Sequence, residues 1–391
     1  MKKTNNVYKN ESSYSYDISE ERREEYRTTS QKSRLAKIAS SLGQTVRTHK
    51  INKPKFNSND LMPQLPRSNL STLSLFSGGG GLDLGFDKAG FTHEASYELI
   101  PICGETLLAN RPNWKVYSGT EQGDVTKVDW SSYKGKVDVI HGGPPCQPFS
   151  IAGSQRGKSD SRNMWGEFNR AVNTIKPRAF VAENVLGLAS AKFEEFVRKE
   201  ILEQLSDYHI QKFVLNSANF GVPQIRRRVF FVGFRNKKNY SKFIQPEPTH
   251  KISNQLSQDL FEKDKPETVG VRKALGLKSI GYDNLAPTLR SGFTGKRNTT
   301  SILNSQAGQD YWASLEIWPN GVQKSRETAS QFPAENNHFR LSVQDCRLLQ
   351  GFPDDWEFSG AVYQILGQLG NSVCPPVAYA IAKNLLHALE D

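Results

Sequence analysis

An α/β fold built on a mostly parallel sheet, joined to a smaller irregular domain, is what the sequence predicts. Three observations carry this. Short apolar runs alternate with helix-forming stretches between residues 71 and 235. Each run empties into a glycine-rich or polar loop, as parallel strands do where ligands bind beyond their carboxyl ends. The rhythm stops at 236–338, a polar and weakly periodic region with scattered aromatics, and resumes at 339–391.

The elements follow in order. "LSLFSGGGG" is a short strand running into glycines, and "LDLGFDKAGF" is a helix stopped by Gly90. "HEASYEL" is a second strand and "ICGETLLANRP" a second helix. "VDVIHGG" (137–143), "AFVAENV" (179–185) and "RRRVFFVGF" (226–234) are further strands. "RLSVQDCRLLQGFP" (340–353) restores the pattern, and "PPVAYAIAKNLLHALE" (375–390) closes the chain as a helix with prolines at its start. Ahead of all this, residues 1–70 hold 14 Lys/Arg and 7 Asp/Glu, so +7 of the net +11 lies there. Within that extension, 19–26 and 31–43 have helical character and 51–69 reads as a linker. The expected organisation is therefore an extension (1–70), a first catalytic part (71–235), an irregular domain (236–338) and a completing catalytic part (339–391).

A chain of 391 residues is long enough for a sizeable core. Its basic balance suits a polyanionic partner, although a solvated basic face would look the same. Cys103, Cys146, Cys346 and Cys374 form no CxxC pair and are too sparse for a disulfide framework, so no metal is expected and a reducing compartment is. The basic N-terminus has no apolar run after it, and no stretch has the length of a membrane span, so a cytoplasmic protein is expected.

Several residues stand where chemistry could occur. Gly78, Gly80 and Gly81 let a backbone approach a nucleoside, but they do not fit dinucleotide spacing, and a plain tight turn is the alternative. Glu98 falls where a ribose carboxylate would, and Asp124 is either an adenine acceptor or a loop carboxylate. A free cysteine is more often packing than nucleophile, but Cys146 sits in "HGGPPCQPFS", a loop whose prolines fix its geometry. Glu183 is either solvated at a strand end or a general acid. Strand alternation puts Arg226 and Arg228 on one face and Arg227 on the other.

Together these elements resemble the bacterial-type DNA (cytosine-5)-methyltransferases. "LFSGGGGLDLGF", "GGPPCQPFS", "ENV", "VPQIRRRVF", "RLSVQDCRLLQGFPDDW" and "GNSVCPPVAYAIA" occur in that family's order. The resemblance covers about 71–235 and 338–391. It implies a Rossmann-like methyltransferase domain, with 236–338 as a target-recognition domain, and S-adenosyl-L-methionine as cofactor, released as S-adenosyl-L-homocysteine. It makes Cys146, Glu183, Arg226 and Arg228 catalytic. It assigns Phe76, Gly78, Gly79, Gly81, Glu98, Leu99, Asp124, Val125, Pro145, Asn371 and Val373 to the cofactor. It assigns Gln147, Ser150, Thr288, Arg290, Lys296, Arg297 and Asn298 to DNA, with Thr288 near a phosphate; Ser291 and Thr294 are further candidates. Ser74 stands where the family often has Asp, and Leu99 where it has an aromatic. The implied partners are double-stranded DNA and a cognate restriction endonuclease acting on the same site, and a monomer is expected. An RNA methyltransferase on the same motifs and a non-catalytic DNA-binding regulator are the alternatives; the long recognition region and the "CQPFS" context favour DNA.

Overall fold

Seven strands make the main sheet: β1 (Ser71–Leu75), β2 (Thr92–Glu98), β3 (Val116–Ser118), β4 (Val139–Gly142), β5 (Ala179–Val185), β6 (His209–Asn216) and β7 (Arg227–Phe234). Their order is β3-β2-β1-β4-β5-β7-β6. The first five run parallel, and β7 is antiparallel to both β5 and β6. The computed structural model describes the chain except 1–19, 43, 45–47, 146–162, 253–263, 292–299, 304–305, 333, 335–336 and 391. Cys146, Gln147, Ser150, Thr294, Lys296, Arg297 and Asn298 therefore lie outside the described residues.

Burial on both faces explains the apolar strands. Leu73, Leu75, Val139, Ile140 and the run Ala179–Ala182 have no solvent exposure. On one face lies a cluster including Leu84, Phe86, Ile381 and Leu385, from the helices Gly81–Lys88 and Pro375–Leu389. On the other, Trp130, Trp165, Phe168, Phe180 and Ile201 pack together. The helix Trp165–Ile175 supplies much of that second core by burying Trp165, Phe168, Ala171, Val172 and Ile175 on one stripe. This helix and strands β3 and β6 are not among the elements expected from the sequence.

The chain order reverses between β1 and β4, which opens a crevice at their carboxyl ends. The glycine loop leaves β1 there, and the segment leading to Cys146 leaves β4 beside it.

Contacts cross the expected domain boundaries. Strand β8 (Ile317–Gln323) pairs in parallel with β9 (Phe339–Ser342), so a boundary at 338 would cut a two-stranded sheet. At the other end, Lys242 Nζ donates to the Glu390 carbonyl and Asn384 Nδ2 to the Ile244 carbonyl, which ties the start of the expected recognition domain to the closing helix. Trp312, Leu315, Ile317 and Val322 lie in one buried cluster with residues of the closing helix. The N-terminal helical stretches form a single helix, Glu20–Ser41. Residues 51–69 are not a loose linker: Asn52, Ser58 and Met62 are buried in the body.

Candidate active site

Glu183 is the fifth residue of β5, next to antiparallel β7, and that pairing brings β7's first arginines to the carboxyl end of the sheet. Arg228 Nε lies 2.9 Å from Glu183 Oε1, with both side chains largely buried. Burial pushes the Glu183 carboxyl above the usual carboxylate range, against the opposing pull of Arg228 and Arg226. Arg228 Nη1 donates to the Arg227 carbonyl at 2.9 Å. The alternation expected of 226–228 is present: Arg226 is buried and Arg227 exposed.

Arg226 is held by main-chain carbonyls. It is 2% exposed, and its Nη2 donates to the Gly370 carbonyl at 2.7 Å. Nη1 reaches the Leu289 carbonyl at 3.5 Å. Burial pulls its pKa down to about 9. Its guanidinium thus links Leu289 to the end of the helix Val362–Asn371 and lends positive charge to Glu183.

The strand end that launches the cysteine loop is fixed by a residue the sequence reading left without a role. Asn184 Nδ2 donates to the Pro144 carbonyl at 3.1 Å. Its signal was its place in "ENV", directly after Glu183. Pro145 is exposed at the crevice.

Gln224, fully buried, is a second unassigned residue. Its Nε2 donates to the Leu349 carbonyl at 3.0 Å and to Gln350 Oε1 at 2.9 Å, while its Oε1 accepts from Leu289 N–H at 3.2 Å. Thr288 donates its hydroxyl to the Ile225 carbonyl at 2.8 Å. This bond docks the segment beside the arginines. Ser291 is 8% exposed and its hydroxyl donates to the Gly367 carbonyl at 3.2 Å. Arg290 is exposed on the same segment.

The nucleoside crevice has its own logic. Phe76 (φ 57°) and Gly78 (φ 55°) take left-handed backbone as the chain turns out of β1. A Cβ on Gly81 would lie 2.1 Å from the Val373 carbonyl oxygen, so glycine there admits the segment after Asn371. Gly79 is likewise closely packed, and Asn371 is exposed nearby in sequence while Val373 is buried. Glu98 Oε2 accepts from Gly78 N–H at 2.7 Å and Oε1 from Ile100 N–H at 2.9 Å. Leu99 and Ile100 are 51% and 37% exposed, an apolar surface beside a fixed carboxylate. Gly123 approaches the Glu98 carbonyl so closely that a Cβ would stand 2.0 Å from its oxygen, which brings Asp124 and Val125 alongside. Asp124 Oδ1 accepts from Thr126 N–H and Oγ1. A carboxylate for a ribose, an apolar face for a purine and an acceptor for its amino group fit an adenosyl cofactor.

Below the glycine loop, Asp83 is buried at 2% exposure and accepts from Ser96 Oγ at 3.0 Å. Burial raises its pKa from 3.8 to about 6. Its favourable protonated contribution is complete below about pH 4 and lost as pH rises through about 6, leaving an ionised carboxylate that costs about 3 kcal/mol. Asp83→Asn is therefore expected to gain stability relative to wild type on moving from pH 5 to pH 8, measured by urea unfolding. An identical difference at both pH values would contradict the assignment.

The strand order, the crevice at the β1/β4 switch and the buried carboxyl–guanidinium pair define a Rossmann-like methyltransferase. The family of C-5 cytosine-specific DNA methylases matches residues 70–387, and the chain belongs to it. It is 33% identical over 329 residues to the Type II methyltransferase M.NgoMIV of Neisseria gonorrhoeae, covering 82% of this chain and 98% of that one. It is 34% identical over 348 residues to the Type II methyltransferase M.PspPI of a Psychrobacter species, covering 83% and 80%. A crystal structure described as a prophage-encoded DNA modification methyltransferase from E. coli superposes with a TM-score of 0.54 at 26% identity, over 83% of this chain and all of that one. The protein is a DNA (cytosine-5)-methyltransferase of the restriction–modification type. Among the described residues, no helix is long and apolar enough to cross a membrane.

Proposed function

We propose that the protein transfers a methyl group from S-adenosyl-L-methionine to C5 of a cytosine flipped out of duplex DNA, through a covalent adduct between Cys146 and C6. The Glu183–Arg228 pair carries this reading: an acid with a raised pKa, beside a planar cation, next to the strand end that leads to Cys146. Flipping costs a few kcal/mol of unstacking. The Cys146 thiolate forms the S–C6 bond, while the C5–C6 π electrons shift through the ring. Glu183 protonates N3, so charge does not accumulate there, and Arg228 orients the O2 edge. C5 then has enamine character.

Glu98, Asp124, Leu99 and the loop from Phe76 to Gly81 would hold the cofactor, with Val125, Pro145, Asn371 and Val373 completing the pocket. Bound there, the sulfonium supplies an electrophilic methyl group. Loss of the C5 proton to a base, followed by breakage of the S–C6 bond, restores the thiolate and the aromatic ring. Arg290 and the segment 292–299 supply the recognition contacts, and a restriction endonuclease cutting the same site is the expected partner activity.

The experiment is transfer of tritiated methyl from S-adenosyl-L-methionine to duplex DNA in competition with RNA, followed by bisulfite mapping. Label at one recurrent cytosine context in DNA is expected. Label confined to RNA, or methylated adenine, would overturn the proposal.

A further inference from the structure

The segment from Thr48 to Leu70 precedes nearly all of the family match, yet it is bonded to both bodies that flank the active site. At its start, Thr48 N–H and Oγ1 donate to the Ser330 carbonyl at 2.7 and 3.0 Å. Asn52, 7% exposed, divides its amide between the Leu275 carbonyl (3.0 Å) and Asp345 Oδ1 (2.9 Å). Asp345 also accepts from Arg326 Nε at 2.9 Å, so Asn52 completes a buried node joining the recognition region to the returning catalytic part. Lys55 and Phe56 N–H groups both reach the Ala274 carbonyl, at 3.0 and 3.3 Å. At its far end, Leu65 N–H donates to the Lys88 carbonyl (2.9 Å) and Ser68 N–H to the Gly90 carbonyl (2.8 Å), at the end of the helix that begins in the cofactor loop. Arg67 pairs with Asp87 and donates to the Phe91 carbonyl at 2.8 Å.

The body is shaped to receive this segment. Gly276 has φ +69°, and a Cβ there would stand 1.8 Å from the Lys53 carbonyl oxygen. Gly90 has φ +93°, with a Cβ position 2.2 Å from the Pro66 carbonyl oxygen. One glycine lies in the recognition region and the other beside the sheet, so each end of the segment has a seat in a different body.

We propose that residues 48–70 are a positioning strap, which holds the recognition region at the angle to the catalytic sheet that lets one duplex engage both. Duplex DNA must meet Arg290 and the Glu183–Arg228 pair at once. A strap bonded to both bodies limits their relative rotation without touching DNA. Loss of its anchor should therefore weaken productive DNA binding while leaving the cofactor crevice and the chemical step in place. The inference rests on duplex DNA being the substrate.

The test uses the full chain with Asn52→Ala at one end of the strap and Arg67→Ala at the other. Arg67 is 55% exposed at its side chain, and Arg111 also holds Asp87, so Arg67→Ala folds even where Asn52→Ala does not. The KM for the duplex methylated by wild type is expected to rise about tenfold, with kcat and the equilibrium affinity for S-adenosyl-L-methionine within about twofold. A lowered melting temperature with an unchanged KM for DNA would show a purely structural segment and overturn the proposal. So would a matching loss of cofactor affinity and kcat. Failure of wild type to methylate duplex DNA would instead overturn the substrate assignment.

Discussion

Cys146→Ala is expected to lower methyl transfer by about 10⁴-fold or more while leaving duplex binding near wild type, since removal of a covalent nucleophile costs on that order. The other thiols cannot stand in for it. Cys103, Cys346 and Cys374 are buried, and burial pushes all three thiols up, away from the thiolate. Among the four cysteines of the chain, only Cys146 follows directly on an exposed residue at the crevice, Pro145. The loop's anchor does not depend on the sulfur, because the Asn184 side-chain amide donates to the Pro144 carbonyl. Alanine should thus leave the launch of the loop unchanged. A duplex carrying 5-fluorocytosine gives a second readout, since fluorine cannot leave C5 as a proton does and the adduct accumulates. Wild type should form a denaturant-stable complex with it and Cys146→Ala none. Trapping by the variant, or transfer at wild-type level, would remove Cys146 from the mechanism.

How far this could be read from sequence depended on the range of the interactions involved. Strands β1, β4, β5 and β7 announce themselves because burial on both faces demands apolar runs, and their loops carry the glycines and acids of the crevice. Strand β3 is three residues long and partly exposed, and β6 alternates exposure at the sheet edge, so neither leaves such a run. The strap is the clearest loss. Its bonds to Ser330, Leu275 and Asp345 span more than 200 residues of chain and fall mainly on backbone groups, which impose no periodicity on side chains. Arg226 was legible as sharing a face with Arg228. Its bonds to the Gly370 and Leu289 carbonyls were not, because both acceptors are main-chain atoms brought in by distant elements. Gln224 was hidden for the same reason, with carbonyl and amide partners from two other segments.

Glu183→Gln should carry the second-largest effect, a fall in kcat of about 10³-fold with DNA affinity little changed, in the range measured for lost general acids. Glutamine preserves the shape and can still accept from Arg228 Nε, so the guanidinium keeps a neutral partner in place of the carboxylate 2.9 Å away. What it cannot do is pass a proton to N3 of the ring. The raised pKa gives this loss a signature in pH. Burial favours the protonated carboxyl, so the acid form extends further toward neutrality than in water and disappears as pH rises through the folded value. Wild-type kcat/KM should accordingly fall on its alkaline side as that proton is lost, and Glu183→Gln should lack this limb while retaining the limb set by the thiolate. The same linkage makes the ionised carboxyl a cost to folding above its folded pKa, which Arg228 and Arg226 offset in part. The variant should thus unfold at a urea concentration no lower than wild type at neutral pH, which separates the catalytic loss from instability. A pH profile that keeps both limbs, or activity within about tenfold of wild type, would show that proton delivery to N3 does not come from Glu183.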